Sequence, residues 1–234
     1  MTIPAVLMAR RLGRALGLNR FAAGLLGGRS YEERFSALML NTVRQGDCVW
    51  DIGANIGLYA TQFADRVGAL GHVVCFEPSP GNASRLVAAT TGMANVTILQ
   101  VALGATQGRM SFFQGTDVLG ATSRVSNDGE RQPDGVIEVN VVRGDDYGAI
   151  VGSITPPTVL KIDTEGFELE VLRGLQDTIK KACVRAIFVE VHFGLLEERG
   201  QSDAPAKIEA MLGCAGFRCE WPDMSHIAGF RPAK

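Results

Sequence analysis

Four stretches of this chain place acids or a histidine directly after a short apolar run. They are Asp51-Ile52-Gly53-Ala54-Asn55-Ile56-Gly57, Glu77-Pro78, Asp163-Thr164-Glu165-Gly166 and Glu190-Val191-His192. Such runs read as parallel strands whose carboxyl ends gather around a ligand. In the first stretch, Gly53 and Gly57 permit a tight turn and a close backbone approach. A dinucleotide-binding turn would carry G-x-G-x-x-G and seat a pyrophosphate on the next helix. This turn lacks the G-x-G spacing, and the carboxylate of Asp51 would repel a phosphate. A cationic or zwitterionic ligand suits it better.

S-adenosylmethionine is a ligand of that kind, with a sulfonium, an α-amino group and no phosphate. Glu77 lies 26 residues beyond Asp51, spaced to accept both ribose hydroxyls of an adenosine. The candidate cofactor residues are therefore Asp51, Gly53, Asn55, Gly57, Glu77, Pro78 and Gln100, the last at the end of the third apolar run. The bland alternative is that Asp51 and Glu77 only cap helices.

Transfer of a methyl group from sulfur is an in-line displacement, so alignment supplies much of the rate. A hydroxyl acceptor also needs a base within hydrogen-bond reach. The candidate catalytic residues are His192, Asp163 and Glu165. His192 is the first choice for the base, because an unperturbed imidazole titrates near neutral pH. Its alternative is a satisfied histidine at a strand exit. Asp163 and Glu165 stand open to three uses: orienting the acceptor, assisting the base, or binding a divalent cation with His192 or Glu190. Oxygen ligands suit Mg²⁺, but two acids beside one histidine are a weak metal signature. Glu165 and Glu168 could equally cap the helix that follows. His72 and His226 read as structural.

The elements that must position these groups alternate between short apolar runs and amphipathic segments, which implies a parallel sheet covered on both faces. Strands are expected at 48–52, 73–76, 96–101, 158–162 and 186–191, and helices at 58–65, from Pro80 onward, at 167–181 and at 205–212. Residues 217–220 and 227–230 read as a closing antiparallel hairpin. The stretch 105–134 is polar, with a strand-like run at 110–113, and strand-like alternation returns after it at 136–142. It is the candidate lid over the acceptor, with Thr122, Ser123 and Arg124 as hydrogen-bonding groups.

Composition narrows the class. A net charge of −2 argues against a general nucleic-acid binder. Residues 1–31 hold five arginines and no acid, so residues 1–40 read as an Arg-rich helical segment ahead of a domain at 41–234. Peripheral membrane contact by that segment competes with simple packing on the domain. Arginines interrupt its apolar stretches, which makes a poor signal peptide. The uncharged run from Leu86 to Gly108 carries too much Thr, Gly and Asn for a membrane span. Five scattered cysteines without CxxC spacing point to a reducing cytoplasm. The subunit number is left open.

The matching stretches VWDIGANIGLYA (49–60), FEPSP (76–80), VALG (101–104), LKIDTEGFELEVLRG (160–174) and FVEVH (188–192) occur in order. By these the sequence resembles the FkbM family of S-adenosylmethionine-dependent methyltransferases. The resemblance implies a class I methyltransferase fold, Rossmann-like and doubly wound, with Asp51, Gly53 and Gly57 around the methionine part of the cofactor and Glu77 on the ribose. It implies an oxygen acceptor on a small molecule, sugar or glycan. The chain departs from the family at Gln100, where Asn is common near the adenine. It departs again at Arg143-Gly144-Asp145-Asp146, where a Leu precedes the Asp pair. Two other readings remain, a nicotinamide-dependent oxidoreductase and a non-catalytic S-adenosylmethionine-binding module.

Overall fold

The computed structural model describes residues 28–113, 124–125, 136–146 and 155–232. Helix α1 (Gly28–Thr42) leads into β1 (Cys48–Ile52), followed by α2 (Leu58–Val67), β2 (His72–Phe76), α3 (Pro80–Ala89) and β3 (Val96–Leu99). A second set follows: β4 (Ala102–Leu103), β5 (Gly108–Phe113), β6 (Arg124–Val125) and β7 (Val136–Val142). The chain then returns through β8 (Val159–Ile162), α4 (Glu168–Gly174), β9 (Ala186–Glu190), α5 (Phe193–Glu198), α6 (Ala204–Cys214), β10 (Arg218–Glu220) and β11 (His226–Phe230).

The main sheet has seven strands in the order β10-β11-β9-β8-β1-β2-β3. Strands β3, β2, β1, β8 and β9 run parallel, and β11 and β10 join antiparallel. The order turns between β1 and β8, and that switch point is where an open α/β sheet leaves a crevice for a ligand. Alternation along β1 explains both cores. Cys48, Trp50 and Ile52 pack on one face, beneath α4, α6 and the second sheet. Val49 faces the other side with Phe35, Met39, Phe63 and Phe188. Both faces are buried, so these strands read as continuous apolar runs.

Four sequence expectations are corrected. The third strand ends at Leu99 rather than running to 101, because Ala102–Leu103 pairs with β7 to start a separate four-stranded sheet, β4-β7-β5-β6. The helix expected over 167–181 stops at Gly174. A Cβ on Gly174 would stand 2.0 Å from the carbonyl oxygen of Gly104, so only glycine lets the helix end dock this closely. Asp145 then takes the backbone N–H groups of Asp177 and Thr178, at 3.0 and 2.8 Å, and turns the chain away. The one surviving feature of the Arg143–Asp146 stretch is thus a structural cap. The fourth correction is α5, a helix not foreseen between β9 and α6.

Helix α1 belongs to this body. Phe35, Met39, Leu40 and Val43 are buried in the second core, and the boundary drawn at 40/41 falls inside the packed helix. Most of the Arg-rich segment, and Thr122 and Ser123 of the expected lid, lie outside the described residues. Among the described residues, no helix is long and apolar enough to cross a membrane.

Candidate functional site

A cavity of about 360 Å³ runs along the carboxyl edge of the main sheet. One half is lined by Gly53, Asn55, Glu77 and Asn82, the other by Asp163, Glu165, Glu190 and His226, and Lys161 lies between. Phe35 and Ser36 of α1 and Leu58 and Tyr59 of α2 supply the side wall. A smaller cavity of about 30 Å³ joins Gly53, Pro78 and Thr164 to Ala102 and Phe112 of the second sheet.

The first half is built by two turns that lock together. Glu77 is only 4% exposed, and its Oε2 accepts from the Asn55 N–H while Oε1 accepts from the Ser79 N–H, both at 2.9 Å. Burial pushes the Glu77 carboxyl up to about 7, against the pull of those N–H groups. Asn55 takes a left-handed backbone, φ 52°, to present its N–H, and its buried Oδ1 has no hydrogen-bond partner. Gly53, at φ 80°, has a different reason to be glycine than ligand approach alone. A Cβ there would meet the Asp163 carbonyl oxygen at 1.8 Å, so β1 and β8 close together only over glycine. Ser79 caps α3, with Pro80 in its first turn as the sequence indicates.

Asp51 lies within the first strand as expected, but away from the cavity wall. It is fully buried and does not line the cavity. It sits within β1, in register with Lys161 of β8, so the two side chains emerge on the same face. Lys161 Nζ lies 3.2 Å from Asp51 Oδ1 and 3.4 Å from Asp163 Oδ2, and donates to the Gly53 carbonyl at 3.3 Å. Burial alone would lower the Lys161 pKa, but the charges of Asp51 and Asp163 outweigh it and raise it. The ammonium stays charged, and Asp51 is its counter-ion below the cavity floor.

In the second half, Asp163 and Glu165 converge on His192 as expected. His192 Nε2 is 3.2 Å from Glu165 Oε2, 3.7 Å from Glu190 Oε1 and 3.8 Å from Asp163 Oδ1. On the other side of the ring, Nδ1 donates to Glu168 Oε1 at 2.8 Å. Glu168 is fully buried and also accepts the Gly166 N–H at 2.8 Å in the turn before α4, whose N-cap, Phe167, has no side-chain cap bond. These contacts engage both ring nitrogens of His192, the residue expected as the base. Burial would lower its pKa, but Glu168, Asp163 and Glu165 together hold it up at about 10. The ring is set behind the carboxylates and not on the cavity wall. Burial pushes Glu165 up to about 7 even though His192 opposes it.

His226 is likewise corrected from a purely structural role. It lines the cavity, stacks on Phe35 with ring centroids 3.9 Å apart, and donates from Nδ1 to Asp223 Oδ2 at 2.8 Å. Its Nε2 is 3.5 Å from Glu190 Oε2. Burial is again overcome, here by Asp223 and Glu190, which raise the His226 pKa to about 9. His72 keeps its structural reading at the opposite edge, bonded to Thr97 at 2.8 Å. Gln100 is exposed and lines neither cavity, while Pro78 lines the smaller one. Gly57, at φ 95°, is held close to Leu86 at the start of α2.

Asp163, Glu165 and His192 offer donor atoms that all lie within 4.8 Å of one another, a set that could hold a metal ion. Lys161 and His226 are the residues the sequence reading missed. A lysine between Leu160 and Ile162 in a strand buried on both faces needs a carboxylate beside it, and Asp51 on the neighbouring strand was the signal.

Comparison with known proteins now decides the family. The methyltransferase FkbM domain matches residues 51–219. The chain belongs to the FkbM methyltransferase family. It is 29% identical over 165 residues to the hexuronic acid methyltransferase AglP of Haloferax volcanii, a match covering 70% of this chain. The matched part spans 64% of that relative's length. In fold it resembles the FkbM methyltransferase of Methylobacillus flagellatus, with TM-score 0.53 and 18% identity over 84% of this chain and 47% of that one. It also resembles Aeropyrum pernix fibrillarin, solved with natively bound S-adenosyl-L-methionine, with TM-score 0.52 and 13% identity over 86% and 74% of the two chains. These two structures bear out the class I methyltransferase fold. Family membership favours the methyltransferase over the oxidoreductase reading.

Proposed function

We propose that this protein transfers a methyl group from S-adenosylmethionine to a hydroxyl of a sugar or glycan. The observation that carries the reading is the single cavity with two unlike halves on the carboxyl edge of the sheet. Gly53, Asn55 and Glu77 form the cofactor half, with Glu77 toward the ribose. Asp163, Glu165 and Glu190 form the acceptor half. The fibrillarin neighbour binds S-adenosylmethionine in the same fold, and the relative in Haloferax acts on a hexuronic acid.

In the reaction the acceptor oxygen attacks the methyl carbon in line with the S–C bond. The O–C bond forms as the S–C bond breaks, its electron pair returns to sulfur, and S-adenosylhomocysteine leaves. The cavity carboxylates orient the hydroxyl and take its proton. Lys161, pinned by Asp51, fixes Asp163 and the Gly53 carbonyl relative to each other and so sets the distance between the two halves. Three carboxylates at the acceptor end also repel phosphates, which favours a neutral sugar hydroxyl over a nucleic acid. Five unpaired cysteines support a cytoplasmic site of action.

Incubating the protein with methyl-labelled S-adenosylmethionine and a panel of methyl glycosides and methyl uronosides tests this. Label appearing in an ether-linked sugar product is expected. Label only in an ester would move the acceptor from a hydroxyl to a carboxylate. Failure to bind the cofactor at all would end the methyltransferase reading.

A further inference from the structure

We propose that Asp163, Glu165 and His192 form a binding site for a hard divalent cation of the Mn²⁺ or Mg²⁺ class at the acceptor end of the cavity. The three residues follow two neighbouring strands, Asp163 and Glu165 after β8 and His192 after β9, and their donor atoms all fall within 4.8 Å. The separations of Glu165 Oε2 and Asp163 Oδ1 from His192 Nε2 are 3.2 and 3.8 Å. Neighbouring donors around an ion with bonds of about 2.1 Å stand about 3 Å apart. The Glu165–His192 pair already stands near that separation, and Asp163 must draw in by most of an ångström for the set to take one up.

A second observation lies outside the cluster. Glu168 is fully buried, has one oxygen without a hydrogen-bond partner, and holds His192 by Nδ1. That bond fixes the ring so that Nε2 points among the carboxylates, where an entering ion displaces the proton that Nε2 holds in the ion-free protein. A buried carboxylate on the far nitrogen of an imidazole is the usual support of a metal-binding histidine. Charge points the same way. Four carboxylates, Asp163, Glu165, Glu168 and Glu190, converge on one ring. Lys161 approaches Asp163 through Oδ2, which leaves Oδ1 for the ion.

Two carboxylates and one imidazole form an oxygen-rich donor set, which suits Mn²⁺ or Mg²⁺ better than a metal that prefers thiolates. Asp163 and Glu165 both line the cavity, so the ion's remaining positions open toward the acceptor. There it would hold two adjacent hydroxyls of a sugar and lower the pKa of the one to be methylated. That use rests on the function proposed above; the cation site itself does not.

The test is titration of the chelator-treated, dialysed full-length protein with Mn²⁺, following free Mn²⁺ by electron paramagnetic resonance. One ion per chain is expected. Asp163→Asn and His192→Gln should each weaken binding at least tenfold, while the remote surface change Asp203→Asn should leave it unchanged. Circular dichroism and S-adenosylhomocysteine binding verify that each variant is folded. Wild-type protein that takes up no stoichiometric Mn²⁺, or variants that bind it as tightly as wild type, would overturn the proposal. Cofactor binding without Mn²⁺ binding removes the cation and leaves the methyltransferase reading. Mn²⁺ binding without cofactor binding does the reverse.

Discussion

The two edges of the main sheet use similar residues to opposite ends. At the amino edge, buried Asp47 accepts from the Arg44 N–H at 2.6 Å and from Thr158 Oγ1 at 2.8 Å, and it pairs with Arg185. Arg185 also donates to the Thr42 carbonyl at 2.8 Å, tying α1 to the sheet. Every contact there is between protein groups. At the carboxyl edge Glu77, Lys161, Asp163, Glu165, Glu190 and His226 face a cavity, Asn55 Oδ1 and one Glu168 oxygen have no hydrogen-bond partner, and Glu77, Glu165, His192 and His226 are all raised from their ordinary pKa. Polar groups that satisfy one another hold a fold together. Polar groups left facing a shared space are available for chemistry.

The sharpest break in that comparison should come from Glu165→Gln. Loss of a proton-accepting carboxylate is expected to cut turnover about 100- to 10,000-fold. S-adenosylhomocysteine affinity should change less than threefold, and thermal melting should barely move. The mirror experiment is Arg185→Ala, which strands buried Asp47. It should cost about 3 kcal/mol of unfolding free energy in urea titrations and leave cofactor affinity intact in the folded fraction. If Arg185→Ala spared stability but destroyed binding, the division between edges would be wrong.

Glu77 bridges the two cases, because its burial bears on stability and its proposed use is in binding. Its folded pKa, about 7, lies above the ordinary 4.5, so the folded state holds the proton more tightly. Its contribution is therefore fully present below about pH 4.5 and is lost as pH rises to 7. The loss is on the order of 3 kcal/mol. Glu77→Gln should flatten that part of the stability–pH curve and weaken S-adenosylhomocysteine binding about tenfold. The smallest effect belongs to Gln100→Ala, expected within twofold of wild type in cofactor affinity.

The parallel strands, the glycine turn, the start of α3 and the terminal hairpin were legible because each depends on local chemistry: apolar runs, Gly53 and Gly57, and Pro80. So was the meeting of Asp163, Glu165 and His192, since strands that follow one another through a right-handed crossover become neighbours. What escaped were properties of register and packing. Asp51 looked like a ligand residue because it ends an apolar run, yet it lies one position short of the strand end and faces Lys161. The partners of His192, above all Glu168 at the start of α4, could not be placed from the sequence. His226 entered the site through antiparallel pairing with Glu190, a contact fixed only when the hairpin docks on β9.

The most direct test is calorimetric titration of the protein with S-adenosylhomocysteine, run on wild type, Glu77→Ala and Arg185→Ala. Saturable one-site binding is predicted, weakened by Glu77→Ala and unchanged per folded molecule by Arg185→Ala. A well-folded wild type that gives no binding heat at any temperature, or binding indifferent to Glu77, would contradict the assignment of the carboxyl edge as the cofactor site.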